Sequence, residues 1–284
     1  MVIVDVERMA GAAVEPTIVW GVPLSPVTMA EAIAVVERRI DARMPAYLIS
    51  ANLNYAMLCA NDVRLAEINR AAVLVLVDGM PLVWASRSRP RPLPERVAGS
   101  DLIFALADMA ARRGFGVFFV GGGPRVAAEA ASVLIARYPG LRVLGTESPP
   151  FGPMSPDDEA ALLGRIRASG ADVVIGAFSQ PRGEAWIAAN HRATGASICV
   201  QIGASLDFAA GRVRRAPRWV RRFGMEWSFR LALEPRRLAG RYARNAAFLL
   251  RSIVRDRLGR NRLLEARHSS YPCLEQAEAV VREM

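Results

Sequence analysis

The chain is 284 residues long and 52% hydrophobic, enough apolar material for one large or two small domains with a packed core, which excludes a disordered tail or a peptide hormone. Its 37 basic and 27 acidic side chains leave a net charge of +10, and every basic one is arginine; without lysine there is no Schiff-base chemistry and no lysine to complete a phosphate-binding P-loop. Three distant cysteines (Cys59, Cys199, Cys273) fit a reducing compartment better than a disulfide framework, and His191 and His268, outside any His-Glu-x-x-His arrangement, leave a zinc site almost without ligands.

The first sixteen residues contain Asp5, Glu7 and Glu15, so no basic leader runs into an apolar stretch. No later segment reaches the roughly 18 uncharged apolar residues of a membrane span, and the expectation is a cytoplasmic protein. Apolar runs of strand length then recur at 46–53, 73–77, 116–120, 141–144, 172–178 and 197–202, with helical patterns between them at 55–70, 101–113, 124–138, 156–169 and 182–194. This alternation predicts an α/β fold: a Rossmann-like, mainly parallel sheet with helices on both faces, spanning 1–211. From 212 to 264 the chain reads as an Arg-rich helical appendage; sixteen arginines stand against three acids between 212 and 262. The tail, 265–284, has no clear period.

In an open α/β sheet ligands bind at the carboxyl ends of strands, so polar residues there are the candidates. Ser50, Asn52 and Asn54 leave the first strand; alternate residues of an extended segment point the same way, and Asn54 is suited to cap the helix that follows. Asp78 ends the run Val73-Leu-Val-Leu-Val-Asp-Gly79. It either caps the next helix, for which Pro81 is suitable, or acts as a general base, since a partly desolvated carboxylate takes a proton from an alcohol. Gly121-Gly122-Gly123-Pro124 is a glycine turn whose amides could meet phosphate oxygens, although Val126 stands where a dinucleotide fingerprint needs its third glycine. Two further strand ends carry Gln180 with Glu184, and Asp207.

The Asp-Gly strand end, Arg96-Val-Ala-Gly99-Ser-Asp101, Tyr138-Pro-Gly140, Pro181-Arg-x-Glu184-x-Trp186, Arg215-Ala-Pro-Arg-Trp219 and Gly224-Met-Glu226-Trp-Ser-Phe-Arg230-Leu-x-x-Glu234-Pro-x-Arg237 together resemble the WecG/TagA/CpsF glycosyltransferases, from about Gly21 to Tyr242. The resemblance implies an inverting transferase that moves a sugar from a nucleotide diphosphate sugar, UDP-linked, to a polyprenyl-diphosphate-linked saccharide at the inner membrane face. Such enzymes build cell-surface polysaccharides: exopolysaccharide, capsule or wall teichoic acid. It implies that Asp78 is the base, that Ser50 (usually threonine), Asn52 and Arg96 contact substrate, and that Arg230, Arg237 and Arg241 serve the diphosphate. Two positions depart from the pattern. Gly183 replaces a glutamine, so that contact is lost or moved to Gln180 or Gln201; the last family arginine falls on Gly240, beside Arg241.

The chemistry agrees with the residues. There is no Asp-x-Asp motif, so leaving-group charge falls to arginines and backbone amides, with no metal and no cofactor expected. An oxidoreductase would need the complete glycine fingerprint. A nucleic-acid binder would use the arginines around Trp219, Phe223, Trp227 and Phe229 but leave the polar strand ends unexplained. Arg230 and Arg237, seven residues apart, share a face if one helix carries both. On a wheel Arg237, Arg241, Arg244, Arg251, Arg255 and Arg262 oppose Leu238, Tyr242, Ala246, Leu249, Leu250 and Ile253. That helix either packs its apolar side on the core or on another subunit of a homo-oligomer, or lies in an anionic headgroup layer burying Leu249 and Ile253.

Overall fold

The computed structural model describes residues 15–213, 215–217, 220 and 225–259. Strands β1 (Thr17–Val19) and β2 (Val22–Leu24) form a hairpin around Trp20 and Gly21, whose φ of 51° and 87° supply the turn that a two-residue hairpin needs. Helix α1 (Met29–Asp41) starts on a capping box: the Thr28 side chain accepts from the Glu31 amide, and Glu31 accepts from the Thr28 amide at 2.7 Å. The predicted elements begin at residue 46, so none of these three is among them, although α1 buries Ala32, Val36 and Ile40 at helical spacing and Thr28-x-x-Glu31 is a legible start signal.

There follow β3 (Ala46–Ala51), α2 (Leu53–Cys59), α3 (Arg64–Ala71), β4 (Leu74–Val77), α4 (Met80–Ser86), α5 (Gly99–Arg113), β5 (Gly116–Gly121), α6 (Val126–Arg137), β6 (Arg142–Glu147), α7 (Pro156–Ser169), β7 (Val173–Ala177), α8 (Arg182–Asn190), β8 (Ile198–Gln201) and α9 (Ser205–Ala209). The six long-range strands form one sheet in the order β4-β3-β8-β7-β5-β6, every neighbouring pair parallel. The predicted mainly parallel α/β fold is the observed one. Alternate strand residues feed two cores: Leu74, Leu76, Val117 and Phe119 on one face, Val75, Val77, Phe118 and Val120 on the other. Burial on both faces is why these strands read as unbroken apolar runs.

The single helix predicted over 55–70 is two. Asn61 donates its side-chain amide to Met57 O at 2.6 Å and Asp62 accepts from the Arg64 amide at 3.0 Å, so a polar pair turns the backbone away from helix at that point. The cap expected at Asn54 sits at Asn52, whose Oδ1 accepts from the Tyr55 amide.

After α9, α10 (Glu226–Leu233) and α11 (Pro235–Arg257) complete the described chain. Arg218, Trp219, Phe223, Gly224, Arg262, His268, Cys273 and the predicted tail lie outside the described residues. The backbone breaks at Glu234 (φ −134°, ψ 57°), so Arg230 and Arg237 sit on two helices rather than one. Helix α11 buries Leu238, Asn245 and Ser252, each two turns from the last, and sets Phe248 edge-on to Trp20 at 5.9 Å. Asp256 accepts from Trp20 Nε1 and from Arg89, tying α11 to the N-terminal hairpin and to the segment after α4. The apolar side read from the wheel therefore divides. Leu238 is buried and Leu249 packs on the core, while Leu250, Ile253, Val254 and Leu258 are 65%, 39%, 48% and 61% exposed.

Candidate active site

Because all six strands run the same way, their carboxyl ends share one edge. Along it stand Asp78 (after β4), Ser50 and Asn52 (β3), Asp207 (after β8), Gln180 and Glu184 (after β7), then Gly121 and Gly122 (β5). Four strand spacings of about 4.8 Å place the glycine turn roughly 19 Å from Asp78, so the sheet gathers the polar strand ends into a row and leaves the glycines at its far end.

Asp78 is half-buried. Its amide donates to Ala51 O at 2.8 Å, extending the β4–β3 ladder by one residue, and its carboxylate lies 3.4 Å from Ser50 Oγ and accepts from the Gly99 amide. It does not cap α4, which has Gly79 at its N-cap and no side-chain cap; it meets the start of α5 instead. Gly99 also lets the start of α5 pack against the β8 end, since a Cβ there would stand 2.7 Å from Ser205 Oγ. Burial pushes the Asp78 carboxyl up to about 6, against the pull of Arg96, the Gly99 amide and Ser50 and with a push from Glu226. A carboxylate poised there is deprotonated at neutral pH and basic enough to take a proton.

Asn54 donates to Gln180 Oε1 at 3.2 Å, and Gln180 Nε2 donates to Ser50 O at 3.3 Å, locking the β3 and β7 ends together. Asn52 spends its Oδ1 on the α2 cap. Glu184, 1% exposed, bonds with Gln180, and its Oε2 has no partner. Gln201 occupies the space beside Gly183, where a Cβ would collide with its side-chain amide, and both its amide atoms engage the Phe178 backbone. Burial raises Glu184 to about 7. The folded chain thus holds the proton more tightly than the unfolded one, so stability falls as pH rises from the ordinary glutamate range through 7. Glu184→Gln should therefore raise Tm at pH 8 by more than at pH 5, read by thermal melts at both; an equal change at the two pH values would contradict it.

The glycine turn departs from expectation. The Gly122 amide donates to Ala177 O at 3.0 Å, and α6 begins at Val126 behind Arg125, not at Pro124. Strand pairing claims an amide that was expected to face phosphate.

A second cluster lies between α9 and the last two helices: a cleft of about 400 Å³ lined by Asp207, Arg212, Arg230, Glu234 and Arg237 among others. Arg230 stacks on Phe208, with its guanidinium carbon 5.3 Å from the ring centroid, and its Nε is buried without a hydrogen-bond partner; Arg241, over Tyr242, has an Nε in the same condition. Arg212 is held by Glu129 at 2.6 Å and Arg237 by Glu234 at 2.6 Å. Burial raises the Asp207 carboxyl while Arg237, Arg212 and Arg230 pull it down. With Arg212 and Arg237 each paired to a carboxylate, Arg230 is the lining guanidinium with a donor left for an anion. Arg96 bridges the two clusters, pairing with Glu226 at 3.2 Å. Glu226 and Gly99 were not read as site residues; Asn54 was read as a helix cap and Gln201 as one of two places for the contact that Gly183 lacks.

The model of the glycosyl transferase WecG/TagA/CpsF family matches residues 17–263. An N-acetylglucosaminyldiphosphoundecaprenol N-acetyl-beta-D-mannosaminyltransferase of Bacillus spizizenii is 29% identical over 198 residues, which is 70% of this chain and 75% of that protein.

Proposed function

The chain belongs to the WecG/TagA/CpsF glycosyl transferase family, and from that membership we propose that it is an inverting transferase carrying a hexosyl or N-acetylhexosaminyl group from a UDP-sugar to a polyprenyl-diphosphate-linked saccharide. The observation that carries the reading is Asp78: a carboxylate with a raised proton affinity at a strand end beside Ser50, Arg96 and the Gly99 amide, in a chain whose arginines Arg230 and Arg237 line a separate cleft able to take a leaving diphosphate. Asp78 accepts the proton of an acceptor hydroxyl as its oxygen attacks the anomeric carbon from the face opposite the diphosphate. The bond to the diphosphate breaks, and its electron pair leaves as phosphate charge. Arg230 and Arg237, with Arg241 beyond, receive that charge. Ser50, Asn52, Gln180, Glu184 and Asp207 are assigned to substrate contact, Glu184 acting through Gln180; Gly121 and Gly122, four strands from Asp78 and with the Gly122 amide bonded to Ala177 O, are not.

The relative's name supplies the first sugar and acceptor to try, N-acetylmannosamine and polyprenyl-diphosphate N-acetylglucosamine, with the sugar carried on UDP as proposed. A panel of other UDP-sugars and GDP-mannose, with nucleotide release measured for each, follows. Release with no lipid-diphosphate acceptor above the hydrolysis background would refute the reading.

Arg230→Gln should cost roughly 1.5–3 kcal/mol in donor binding or turnover, the loss of a charged hydrogen bond. Arg237→Gln should fall at the lower end, because Arg237 is exposed and already paired with Glu234. Normal UDP affinity and normal rate in both would remove the role.

The lipid acceptor also calls for a membrane surface, and among the described residues no helix is long and apolar enough to cross one. Helix α11 supports peripheral contact at the inner face of the cell membrane: Leu250, Ile253, Val254 and Leu258 are exposed beside Arg244, Arg251, Arg255 and Arg257. Leu250 and Val254 replace Leu249 among the side chains expected to enter the headgroup layer. Reversing Arg244, Arg251 and Arg255 to Glu should weaken partitioning onto anionic vesicles at least on the order of a hundredfold, at about 1 kcal/mol per charge. Raised salt should release the wild type; failure of the wild type to sediment with anionic vesicles at low salt would exclude this contact.

A further inference from the structure

The Arg96–Glu226 pair links residues 130 positions apart. Both side chains are largely withdrawn from water, 16% and 14% exposed, unlike the surface pairs of the chain, and removing one partner of such a pair leaves the other charge poorly compensated. Arg96 and Glu226 both act on the Asp78 carboxyl, with opposite sign. Glu226 is also the first residue of α10, and Arg230, four positions on, shares its face one turn away.

We propose that Glu226 is a positioning residue for the reaction centre: by pairing with Arg96 it fixes the guanidinium beside Asp78 and seats α10 so that Arg230 faces the anion-binding cleft. The proposal rests on the reading of Asp78 as base and Arg230 as diphosphate contact. It makes the catalytic strand end and the arginine cleft a single assembly, joined through this ion pair between the segment before α5 and the appendage. The groups that face Asp78 are Ser50 from β3, Arg96 from the segment before α5, the Gly99 amide of α5 and Glu226 from α10. Farther along the start of α5, Asp101 and Arg215 pair with each other at 2.6 Å.

A purely structural staple would alter stability and leave the base where it is. Loss of the Glu226 charge in Glu226→Gln, by contrast, removes a push on the Asp78 proton, while the glutamine oxygen can still accept from Arg96 and hold the guanidinium in place. In Glu226→Gln the acid limb of kcat/KM, measured with UDP-N-acetylmannosamine and polyprenyl-diphosphate N-acetylglucosamine, should move to lower pH by about half a unit or more. In Arg96→Gln it should move to higher pH. Titration of the Asp78 carboxyl carbon by NMR, assigned by its absence in Asp78→Asn, needs no substrate and should shift the same way. An Asp78 titration unmoved by Glu226→Gln, while Asp78→Asn abolishes turnover, overturns this proposal alone. Full turnover in Asp78→Asn overturns the base reading, and the NMR titration then judges Glu226 separately. If Glu226→Gln does not fold, Glu226→Asp keeps the charge and shortens its reach, displacing the Arg96 guanidinium: a shift of the Asp78 titration in either direction supports the clamp, and an unchanged one refutes it.

Discussion

Asp78→Asn should lower kcat by roughly 10²- to 10⁴-fold while leaving UDP-sugar affinity and the fold in place, the loss expected when a general base becomes an amide of the same shape. The asparagine oxygen can still accept from the Gly99 amide, so the contact between the β4 end and α5 survives. Stability should not suffer at neutral pH. The folded carboxyl is raised from 3.8 to about 6, so the native state binds more protons across that window, and stability falls as pH rises through it; the neutral amide escapes that cost. In the wild type kcat/KM should decline as pH falls through about 6, and this limb should vanish from the residual activity of the variant. Near-normal turnover in Asp78→Asn, with Asp101 or Asp207 variants inactive, would move the base elsewhere along the strand ends.

Gly121→Ala is the largest expected loss of stability. Gly121 holds φ at +104°, outside the region side chains tolerate, and an added Cβ would lie 2.8 Å from both the carbonyl carbon and the oxygen of Ala177. Those atoms are backbone of β7, whose carbonyl accepts from Gly122, so relief requires parting two central strands. Backbone strain of about 1–3 kcal/mol and overpacking of about 1–3 kcal/mol act together, a large fraction of a domain stability of roughly 5–15 kcal/mol. Gly140→Ala is the comparison: φ is +93° but the nearest atom is 3.7 Å away, leaving strain alone. Denaturant unfolding of both variants measures the difference, and a Gly121→Ala protein within about 1 kcal/mol of wild type would show that the turn can relax.

The inner strands were legible because a parallel sheet covered on both faces demands apolar side chains at nearly every position, whereas the edge strand β6, exposed at Arg142 and half-buried beyond it, runs three residues past its predicted end at 144. The hairpin was not, since three-residue strands carry no measurable period. The helix split at Asn61 and Asp62 and the cap at Asn52 turned on side-chain-to-backbone hydrogen bonds, which compete locally with helix and leave the apolar pattern unchanged.

By itself the sequence determined the sheet, the row of polar strand ends and the arginine-rich appendage, because hydrophobic period and charge density are local properties of the chain. Strand order, and with it the neighbours of Asp78, depends on crossovers between distant segments. The tertiary structure therefore decided that Asp78 meets α5 rather than α4, and that Gly122 gives its amide to β7. It also brought Glu226 across 130 positions to Arg96, and turned α11 so that three buried side chains, Leu238, Asn245 and Ser252, face the protein while Leu250 and Val254 look outward. A helical wheel specifies which residues share a face; the surface that each face meets is set by packing against the rest of the fold.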